Sequence, residues 1–365
     1  MKKKVAVLGA TGSIGKSSLD VISRNRGDFE VVLLASRSRR EELEKLKNLW
    51  PNALCVLSDE DGKEKFLEAI RASGADITIN GISGGAGLEP SLAAIEAGSD
   101  LALANKETVV MAGDLVFRMA KEKNVKIIPV DSEHSAVFNL IQAHGGAQEI
   151  ILTASGGPFR TLTAEQMENV TAEDALAHPT WKMGPKITID SASMANKGLE
   201  IIEACALFNM PPEKIKVVIH PQSVVHSMIR LHNGAIYAQL SKPDMRRPIH
   251  DALYWPKTAT LNLDELNFDS LTLEFEKPDA QKFPMLSLAR EAAKLKGLYP
   301  CAYNAANEEA AAAFLSKKAG FSAIQKATAH VMEADWNCGA LDKQTVLEAD
   351  AQARRRAVLY LNKNL

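Results

Sequence analysis

The sequence predicts an α/β protein with three parts: an N-terminal doubly wound domain, a central α+β domain and a C-terminal helical bundle. Short apolar runs alternate with helical patterns over the first 130 residues, which indicates the first part. A hairpin signal and one strong helix lie in the middle, and only helical patterns occur from residue 285 onward. With 46% apolar and 24% charged residues, the 365-residue chain has the composition of a globular protein.

The N-terminal part contains six apolar runs that we interpret as strands, over residues 5–8, 31–35, 53–57, 76–79, 101–104 and 126–130. Helical patterns accompany them over residues 15–24, 40–50, 62–73, 89–97 and 113–123. Strands that alternate with helices of this length predict right-handed βαβ units and a parallel, doubly wound sheet.

The central part mixes both kinds of pattern. Strands are predicted over residues 150–154, 186–190, 216–219, 224–231 and 235–240, and a helix over residues 196–208. His232, Asn233 and Gly234 separate the last two strands, which is typical of a hairpin turn.

A linker and a helical bundle are predicted after the central part. Residues 259–284 are irregular and carry Pro278 and Pro284. Helices are predicted over residues 285–296, 305–318, 322–334 and 345–362, and Gly297, Pro300 and Gly320 punctuate the first three.

Charge and cysteine usage exclude several classes of protein. The net charge is −2, so no global field attracts nucleic acid or an anionic membrane. No apolar run reaches the 18 or so residues of a membrane span. The four cysteines lie far apart without a CxxC pair, which argues against a disulfide framework and a structural zinc site. We therefore expect a cytoplasmic protein with reduced thiols and neither a nucleic-acid nor a membrane partner.

A glycine-rich turn, GATGSIG at positions 9–15, joins the first predicted strand to the first helix. In a Rossmann-like domain such a turn brings backbone N–H groups and the positive end of a helix to a dinucleotide's pyrophosphate. The alternative is a tight turn that binds nothing. Its place at a strand-to-helix junction in a βαβ series favours dinucleotide binding.

The residues after the second predicted strand distinguish NAD from NADP. An NAD site expects an acidic residue there, whereas this chain has Arg37, Ser38, Arg39 and Arg40. Guanidinium and hydroxyl donors suit a 2′-phosphate. The alternative is a basic, solvent-exposed helix start, which the helix dipole disfavours. The sequence therefore favours NADPH.

Polar residues follow two neighbouring predicted strands. Asn105, Lys106 and Glu107 follow one, and the segment with Asp131 and Glu133 follows the other. The two acids are two residues apart, so their carboxylates face the same way if the segment is extended. Such carboxylates repel unless a cation or proton intervenes, and oxygen ligands suit Mg²⁺ or Mn²⁺. The alternative is a pair of solvated acids that open a helix.

The central part adds groups that suit a phosphate. A Ser-Gly-Gly sequence starting at Ser155 follows a predicted strand and resembles an anion-binding nest. Ser191, Asn196 and Lys197 are good phosphate donors near the start of the predicted helix, and Glu200 lies one turn beyond Asn196. Singly, each is more typical of a cap or a surface group, but together they indicate a site.

A loop with two prolines and a glycine lies between these groups and contains His178, Trp181 and Met183. Apolar residues in such a loop are explained by a lid that closes over a substrate. The alternative is a loop whose Trp181 plugs the core.

These motifs together resemble the 1-deoxy-D-xylulose 5-phosphate reductoisomerase family over nearly the whole chain. They are GATGSIG (9–15), LANKE (103–107), PVDSEH (129–134), TASGGPFR (153–160), HPTWKMG (178–184), DSASMANKGLE (190–200), IHPQSVVHSM (219–228), PDMRRPI (243–249) and NAANE (304–308). The resemblance implies conversion of the sugar phosphate 1-deoxy-D-xylulose 5-phosphate to 2-C-methyl-D-erythritol 4-phosphate in non-mevalonate isoprenoid biosynthesis. Carbon–carbon cleavage, recombination under a closed lid and reduction by NADPH would accomplish it.

The resemblance also implies an organisation and a set of residue roles. The segments are an NADPH-binding domain (1–130), a catalytic metal and substrate domain (131–258), a linker (259–284) and a helical domain (285–365), in a homodimer. The metal ligands for Mg²⁺ or Mn²⁺ are Asp131, Glu133 and Glu200. The substrate-binding residues are Lys106, Ser132, Glu133, Ser155, His178, Ser191, Asn196, Lys197 and Glu200. The catalytic residues are Lys106, Glu133, His178 and Trp181, and Met183, His226 and Met245 are further members of the site. The cofactor-binding residues are Thr11, Gly12, Ser13, Ile14, Arg37, Ser38, Arg39, Asn105, Glu107 and Gly184.

Two other functions stay open on the residues alone. A metal-free dehydrogenase shares the glycine turn but gives no reason for Asp131, Glu133 and Glu200. A non-catalytic NADP sensor would use the C-terminal helices as an interaction domain, but it has no need of the phosphate cluster. Loss of activity with a chelator excludes the first, and turnover of a sugar phosphate excludes the second.

Overall fold

The computed structural model describes residues 1–177, 180–181 and 183–363. These residues form two compact units. The first unit contains residues 1–108, 114–135 and 244–263, and the second contains residues 109–113, 136–243 and the chain from residue 264. The boundaries of the structural units differ from those of the predicted functional segments. Residues 244–263 belong to the first unit, and the C-terminal helices belong to the second. The functional division stays a prediction.

The first unit is built on a six-stranded parallel sheet. Its strands are β1 (Lys3–Leu8), β2 (Phe29–Ser36), β3 (Leu54–Leu57), β4 (Ile77–Asn80), β5 (Asp100–Leu103) and β6 (Ile127–Pro129). They lie in the order β3-β2-β1-β4-β5-β6, and each neighbouring pair is parallel. The predicted strands and doubly wound sheet are confirmed. The winding reverses between β1 and β4, where ligands of such sheets bind.

The described residues contain sixteen α-helices, numbered along the chain. The first seven are α1 (Ser13–Arg24), α2 (Arg40–Leu49), α3 (Ser58–Asp61), α4 (Lys63–Arg71), α5 (Leu88–Glu96), α6 (Lys106–Lys123) and α7 (Ser132–His144). The others are α8 (Ala164–Met167), α9 (Ala172–Leu176), α10 (Pro185–Ala192), α11 (Ala195–Leu207), α12 (Arg246–Tyr254), α13 (Met285–Leu295), α14 (Tyr299–Leu315), α15 (Ala323–Met332) and α16 (Lys343–Lys363). All ten predicted helices are present with shifted ends. None of the described helices has the length and apolar composition needed to cross a membrane.

The second unit contains a four-stranded mixed sheet. Its strands are β7 (Glu149–Ala154), β8 (Ile215–Ile219), β9 (Val225–Arg230) and β10 (Ile236–Leu240), in the order β10-β9-β7-β8. Strands β9 and β10 pair antiparallel, which confirms the predicted hairpin. Helix α11 packs against α13, and α14 packs against α15 and α16, so the C-terminal helices are part of this unit.

One predicted strand, over residues 186–190, is wrong because the segment lies within α10. Its Ile-Thr-Ile alternation suggested a strand. Pro185, however, occupies the first turn of a helix, where its missing N–H costs no hydrogen bond. Thr188, Ile189 and Asp190 are all buried because α10 packs against α9, α11 and α14. Because these three consecutive residues are all buried, the segment lacks the 3.6-residue alternation of apolar and polar residues by which a helix is recognised in a sequence.

The extended segment suggested for residues 131–133 is also wrong. The Oδ1 atom of Asp131 accepts hydrogen bonds from the backbone N–H groups of Glu133 at 3.2 Å and His134 at 3.4 Å. Asp131 therefore caps α7, and Glu133 lies in its first turn. The two acids therefore lie at the start of a helix, as in the alternative interpretation. The alternation of side chains along a strand cannot be the reason for a common role in metal binding.

Arg246 stabilises the attachment of α12 within the first unit. Its guanidinium contacts Asp244 at 2.6 Å and Asp20 of α1 at 3.1 Å. Burial alone would raise the pKa of both carboxyls, but arginine hydrogen bonds and charge lower each pKa below its ordinary value. We expect Arg246→Leu to lower the free energy of unfolding by about 1 kcal/mol near neutral pH, because the groups are partly exposed.

The cost of Arg246→Leu is expected to shrink in acid. A lowered folded-state pKa stabilises the fold above the unfolded pKa of about 4, and this stabilisation is lost as the pH falls through the folded pKa. Urea unfolding of both proteins at about pH 7 and about pH 3 measures the difference. An equal difference at both pH values would contradict the contribution of the two carboxylates.

Candidate active site

The turn between β1 and α1 has the close geometry of a dinucleotide site. Helix α1 begins after Gly12, and no side chain caps its first turn. A Cβ atom at Gly15 would lie 2.4 Å from the carbonyl oxygen of Gly9 and 2.5 Å from Ala10, so only glycine fits there. The turn therefore offers backbone N–H groups and the positive end of α1 to a phosphate.

The arginines predicted to bind a 2′-phosphate follow β2, and one of them, Arg39, contacts this turn. Arg39 donates a hydrogen bond from Nη1 to the carbonyl oxygen of Thr11 at 3.1 Å, and Thr11 Oγ1 lies 2.7 Å from Ser36 Oγ. Arg37 lies 3.3 Å from Asp59. The Arg37 and Arg39 side chains are 85% and 58% exposed. Arg39 also pairs with Glu42 at 3.6 Å. Exposed ion pairs are weak, so an incoming phosphate can replace Asp59 and Glu42 as partners of the arginines at little cost.

Asn105 and Glu107 lie at the start of α6. Asn105 caps the helix by accepting from the Thr108 backbone N–H at 3.1 Å. Its amide donates to the carbonyl oxygens of Ile82 at 2.8 Å and Gly84 at 2.9 Å, and to Glu107 at 2.9 Å. These bonds hold α6 against the turn that follows β4. They explain the burial of Asn105, and a cofactor contact by either residue stays a prediction.

Lys106 and Asp131 form a buried ion pair. They follow β5 and β6, which are neighbours in the sheet. Lys106 Nζ lies 2.7 Å from Asp131 Oδ2, and the side chains are 5% and 11% exposed. Ser132 donates a hydrogen bond to the carboxylate of the adjacent residue, Glu133, in the first turn of α7. The first unit thus brings together Lys106, Asp131, Ser132 and Glu133, as the strand ends predicted.

In the second unit, the loop after β7 packs directly on the end of α10. Gly157 has a φ of +67°, and a Cβ atom there would lie 2.6 Å from the carbonyl oxygen of Ser191. The Gly157 N–H donates to Ser155 Oγ at 3.3 Å. Ser155 and Ser191 therefore lie on two segments in contact, which supports their predicted grouping.

Asn196, Lys197 and Glu200 share one face of α11. The Asn196 amide donates to Glu200 at 2.6 Å, and Lys197 Nζ forms an ion pair with the same carboxylate. The Lys197 and Glu200 side chains are 4% and 0% exposed. The shared face was predicted, but α11 follows α10 rather than a strand. Met194, with a φ of 60°, makes the turn between the two helices.

The predicted lid segment lies between α9 and α10. Trp181 and Met183 are half-buried, and Thr180 donates to the carbonyl oxygen of Pro221 at 3.5 Å. Gly184 caps α10 with extended backbone geometry. His178 lies outside the described residues. Half-burial of Trp181 is compatible with a lid and with a core plug, so the role of this segment stays a prediction.

Two residues near this cluster were not singled out from the sequence. Asp190 and Asn307 meet at 2.8 Å, although 117 positions separate them. Asp190 directly precedes Ser191, and Asn307 belongs to the NAANE motif. The one feature of the sequence that could have indicated this contact is the presence of amide side chains within a buried helix.

His226 and Met245, two further predicted members of the site, lie in different units. His226 lies 2.7 Å from Ser241 Oγ within the second unit, and Met245 precedes α12 in the first.

Three family models match the chain. The model described as 1-deoxy-D-xylulose 5-phosphate reductoisomerase matches residues 5–70 and 40–113. The model of the 1-deoxy-D-xylulose 5-phosphate reductoisomerase C-terminal domain matches residues 127–208. The model of the DXP reductoisomerase C-terminal domain matches residues 240–356.

Relatives of the same description match over the full length. The chain is 47% identical over 368 residues to the 1-deoxy-D-xylulose 5-phosphate reductoisomerase of Treponema denticola, with 98% of this chain and 97% of that protein covered. It is 46% identical over 376 residues to that of Chlorobaculum tepidum, with 97% and 98% covered. A crystal structure of DOX-P reductoisomerase in complex with NADPH, fosmidomycin and magnesium has a TM-score of 0.92 at 36% identity, with 99% and 98% covered. The Zymomonas mobilis enzyme in complex with NADPH has a TM-score of 0.89 at 41% identity, with 99% of both chains covered.

Proposed function

Because the chain belongs to the 1-deoxy-D-xylulose 5-phosphate reductoisomerase family, we propose that it converts 1-deoxy-D-xylulose 5-phosphate to 2-C-methyl-D-erythritol 4-phosphate. It is an NADPH-dependent oxidoreductase that also requires a divalent metal ion such as Mg²⁺. The observation that carries this proposal is the 46–47% sequence identity, over nearly the full length, to relatives described as having this activity. The donor groups described above fit both cofactors.

The turn after β1 fits the pyrophosphate of NADPH, because glycine is required at position 15 and the start of α1 carries no side-chain cap. We assign the pyrophosphate to Thr11, Gly12, Ser13 and Ile14, whose backbone N–H groups precede or open the helix. Arg37, Ser38 and Arg39 are assigned to the 2′-phosphate, and Asn105, Glu107 and Gly184 to further cofactor contacts. The exposure of the arginines supports the second assignment.

We assign the divalent metal ion to the carboxylates of Asp131, Glu133 and Glu200. Their donor set contains oxygen alone, as Mg²⁺ and Mn²⁺ prefer. When bound, the ion supplies Lewis-acid stabilisation of charge that develops on substrate oxygens. Within each unit a lysine balances a carboxylate, since Lys106 pairs with Asp131 and Lys197 with Glu200.

The substrate phosphate is assigned to Ser155, Ser191, Asn196 and Lys197. Two hydroxyls, an amide and an ammonium give hydrogen-bond donors and a positive charge, which suit a phosphodianion. Lys197 is almost fully buried, so its interaction with a phosphate would be weakly screened. Held in this way, the phosphate fixes one end of the sugar while the other end reacts.

At the reacting end, we assign proton transfer to Glu133 and polarisation of a substrate oxygen to the Lys106 ammonium. Ser132, which donates to Glu133, orients that carboxylate. His178 and Trp181 are assigned to the lid, which excludes water and retains the fragments until they recombine.

The test follows NADPH absorbance with 1-deoxy-D-xylulose 5-phosphate and Mn²⁺, and then after addition of a chelator. We expect NADPH loss that stops with the chelator and resumes with excess metal. NADH at the same concentration should give a much lower rate, because it lacks the 2′-phosphate. A folded, NADPH-binding sample that consumes no NADPH would overturn the proposed function.

Trp181→Ala should impair catalysis and leave NADPH binding nearly intact. The reason is that a lid acts on the bound sugar, whereas the dinucleotide turn belongs to the first unit. Steady-state kinetics, NADPH fluorescence titration and thermal unfolding distinguish the outcomes. A variant that unfolds would show that Trp181 is a core residue and that the lid interpretation fails.

We propose that the chain acts as a homodimer. Strand β10 is an edge strand of the second sheet, and it exposes Ile236 (47%) and Tyr237 (40%). Exposed apolar edge strands tend to pair with another chain. Light scattering should give twice the monomer mass, and Ile236→Lys should increase the monomer fraction. A monomer at every concentration would contradict the proposal.

We also propose a cytoplasmic location. The four cysteines are free of disulfides, as expected in a reducing compartment. Fractionation of the source cells should place the protein with cytoplasmic markers, and recovery with membrane or secreted markers would contradict the proposal.

A further inference from the structure

Helix α14 carries a buried amide that contacts the end of α10. Asn307 donates a hydrogen bond from Nδ2 to Asp190 Oδ1 at 2.8 Å, and the residues are 0% and 1% exposed. Lys186, on the preceding turn of α10, contacts the other oxygen of Asp190 at 2.8 Å. An amide and an ammonium thus hold the two oxygens of one buried carboxylate. That arrangement fixes the carboxylate's position and orientation.

Asp190 occupies a critical place in the chain because Ser191 is the next residue. The carbonyl oxygen of Ser191 also faces Gly157, where a Cβ atom would lie only 2.6 Å away. The end of α10 is therefore held from two sides, by the loop that carries Ser155 and by Asn307. Movement of Asp190 would shift the Ser191 hydroxyl with it.

Helix α14 also sets the position of α11. A Cβ atom at Gly198 would lie 2.4 Å from the hydroxyl of Tyr303 and 2.9 Å from Ala289. Tyr303 donates to the carbonyl oxygen of Met285 at 3.2 Å and is fully buried. Burial first, and then the charge of Asp190, raise the pKa of Tyr303 well above its ordinary value, so the phenol stays a neutral donor. Gly198 directly follows Lys197 in α11.

We propose that Asn307 is a positioning residue for the substrate phosphate, which acts through Asp190 on Ser191. Helix α14 presents its buried polar face to the two helices that carry Ser191, Asn196 and Lys197. The C-terminal helices therefore shape the phosphate site without contacting the phosphate. This inference rests on the proposed function, since it concerns the substrate of the same site.

Asn304 offers a matched control for Asn307. It lies one turn earlier on α14, is equally buried, and donates to Glu308 of the same helix at 3.0 Å. In the described structure each of the two amides has a buried oxygen without a hydrogen-bond partner. The two residues differ in the acceptor of the amide, since Asn304 donates within α14 and Asn307 donates to α10.

The experiment compares Asn307→Ala with Asn304→Ala in the full-length enzyme. We expect Asn307→Ala to raise the KM for 1-deoxy-D-xylulose 5-phosphate by about tenfold or more, with kcat and NADPH affinity changed much less. Asn304→Ala should leave the KM within about twofold of the wild type, even if both variants lose similar thermal stability. Equal KM values in the two variants would overturn the proposal.

A double variant tests the route through Ser191. If Asn307 acts through the Ser191 hydroxyl, its replacement should change the KM by less than about threefold in a Ser191→Ala background. An undiminished effect in that background would contradict this route. Asn307→Ser, which removes less volume, must raise the KM in the same direction. If both Asn307 variants unfold while Asn304→Ala folds, Asn307 is a stability residue and the proposal fails.

The wild-type assay separates this inference from the proposed function. If the wild type does not turn over 1-deoxy-D-xylulose 5-phosphate, the proposed function fails. If the wild type does turn it over and Asn307→Ala has an unchanged KM, only the positioning role fails.

Discussion

Replacement of Glu200 by Gln should lower kcat/KM by about 100- to 1,000-fold at ordinary metal concentrations, the range seen when one group that stabilises transition-state charge is removed. Glutamine has nearly the same size and retains one oxygen, but it removes the negative charge of a fully buried carboxylate that we propose as a metal ligand. It also leaves Lys197 without its ionic partner on α11. Both changes weaken the binding of a divalent cation, because the site loses a carboxylate while the neighbouring ammonium stays charged.

The measurement is turnover as a function of Mn²⁺ concentration, with NADPH binding followed by fluorescence. We expect a higher metal requirement and unchanged NADPH affinity in Glu200→Gln. Glu203→Gln is the matched control, since Glu203 is equally buried on the same helix and has no assigned role at the metal. Wild-type turnover of Glu200→Gln at ordinary metal concentrations would refute the role of Glu200.

Lys197→Met should have the second large effect, in stability as well as in catalysis. Lys197 forms a buried ion pair with Glu200, and its replacement leaves this buried carboxylate with the Asn196 amide as a donor but without the lysine's positive charge. Such changes cost about 3–5 kcal/mol of stability. The variant also loses a positive charge assigned to the substrate phosphate. Because binding energy from a non-reacting phosphate supports the reacting centre, kcat should fall together with the affinity for substrate.

Urea unfolding and steady-state kinetics test Lys197→Met, with Lys216→Met as the control. Lys216 is an exposed residue of β8 in the same unit, so its replacement removes the same charge without opening a buried pair. We expect the control to behave as the wild type. Comparable stability and kcat/KM in the two variants would show that Lys197 serves neither the pair nor the phosphate.

The parallel sheet was predictable from sequence because each strand is a short apolar run between helical patterns. Helix starts were less predictable. Helix α14 begins at Tyr299, six residues before the predicted start, since Pro300 ends helices in most contexts but is tolerated in a first turn. The strand predicted over residues 186–190 failed because Thr188, Ile189 and Asp190 are buried in succession, which obscures the 3.6-residue period of a helix.

The residues of the candidate site were predictable where they follow strands or share a helix face. Lys106 and Asp131 lie at the ends of neighbouring strands, and the i, i+3 and i+4 spacing places Lys197 and Asn196 beside Glu200. The pairing of Asp190 with Asn307 was not predictable, since no local pattern links a helix of the central segment to one 117 positions later. Such contacts depend on how helices pack, which periodicity does not report.

Identification of the reaction product tests the proposed function most directly. The enzyme is supplied with 1-deoxy-D-xylulose 5-phosphate, NADPH and Mg²⁺, and the product is examined by NMR while NADPH consumption is measured. We expect branched 2-C-methyl-D-erythritol 4-phosphate, with one NADPH consumed for each molecule formed. A linear product, made by reduction of the ketone without rearrangement of the carbon skeleton, would contradict the proposed function.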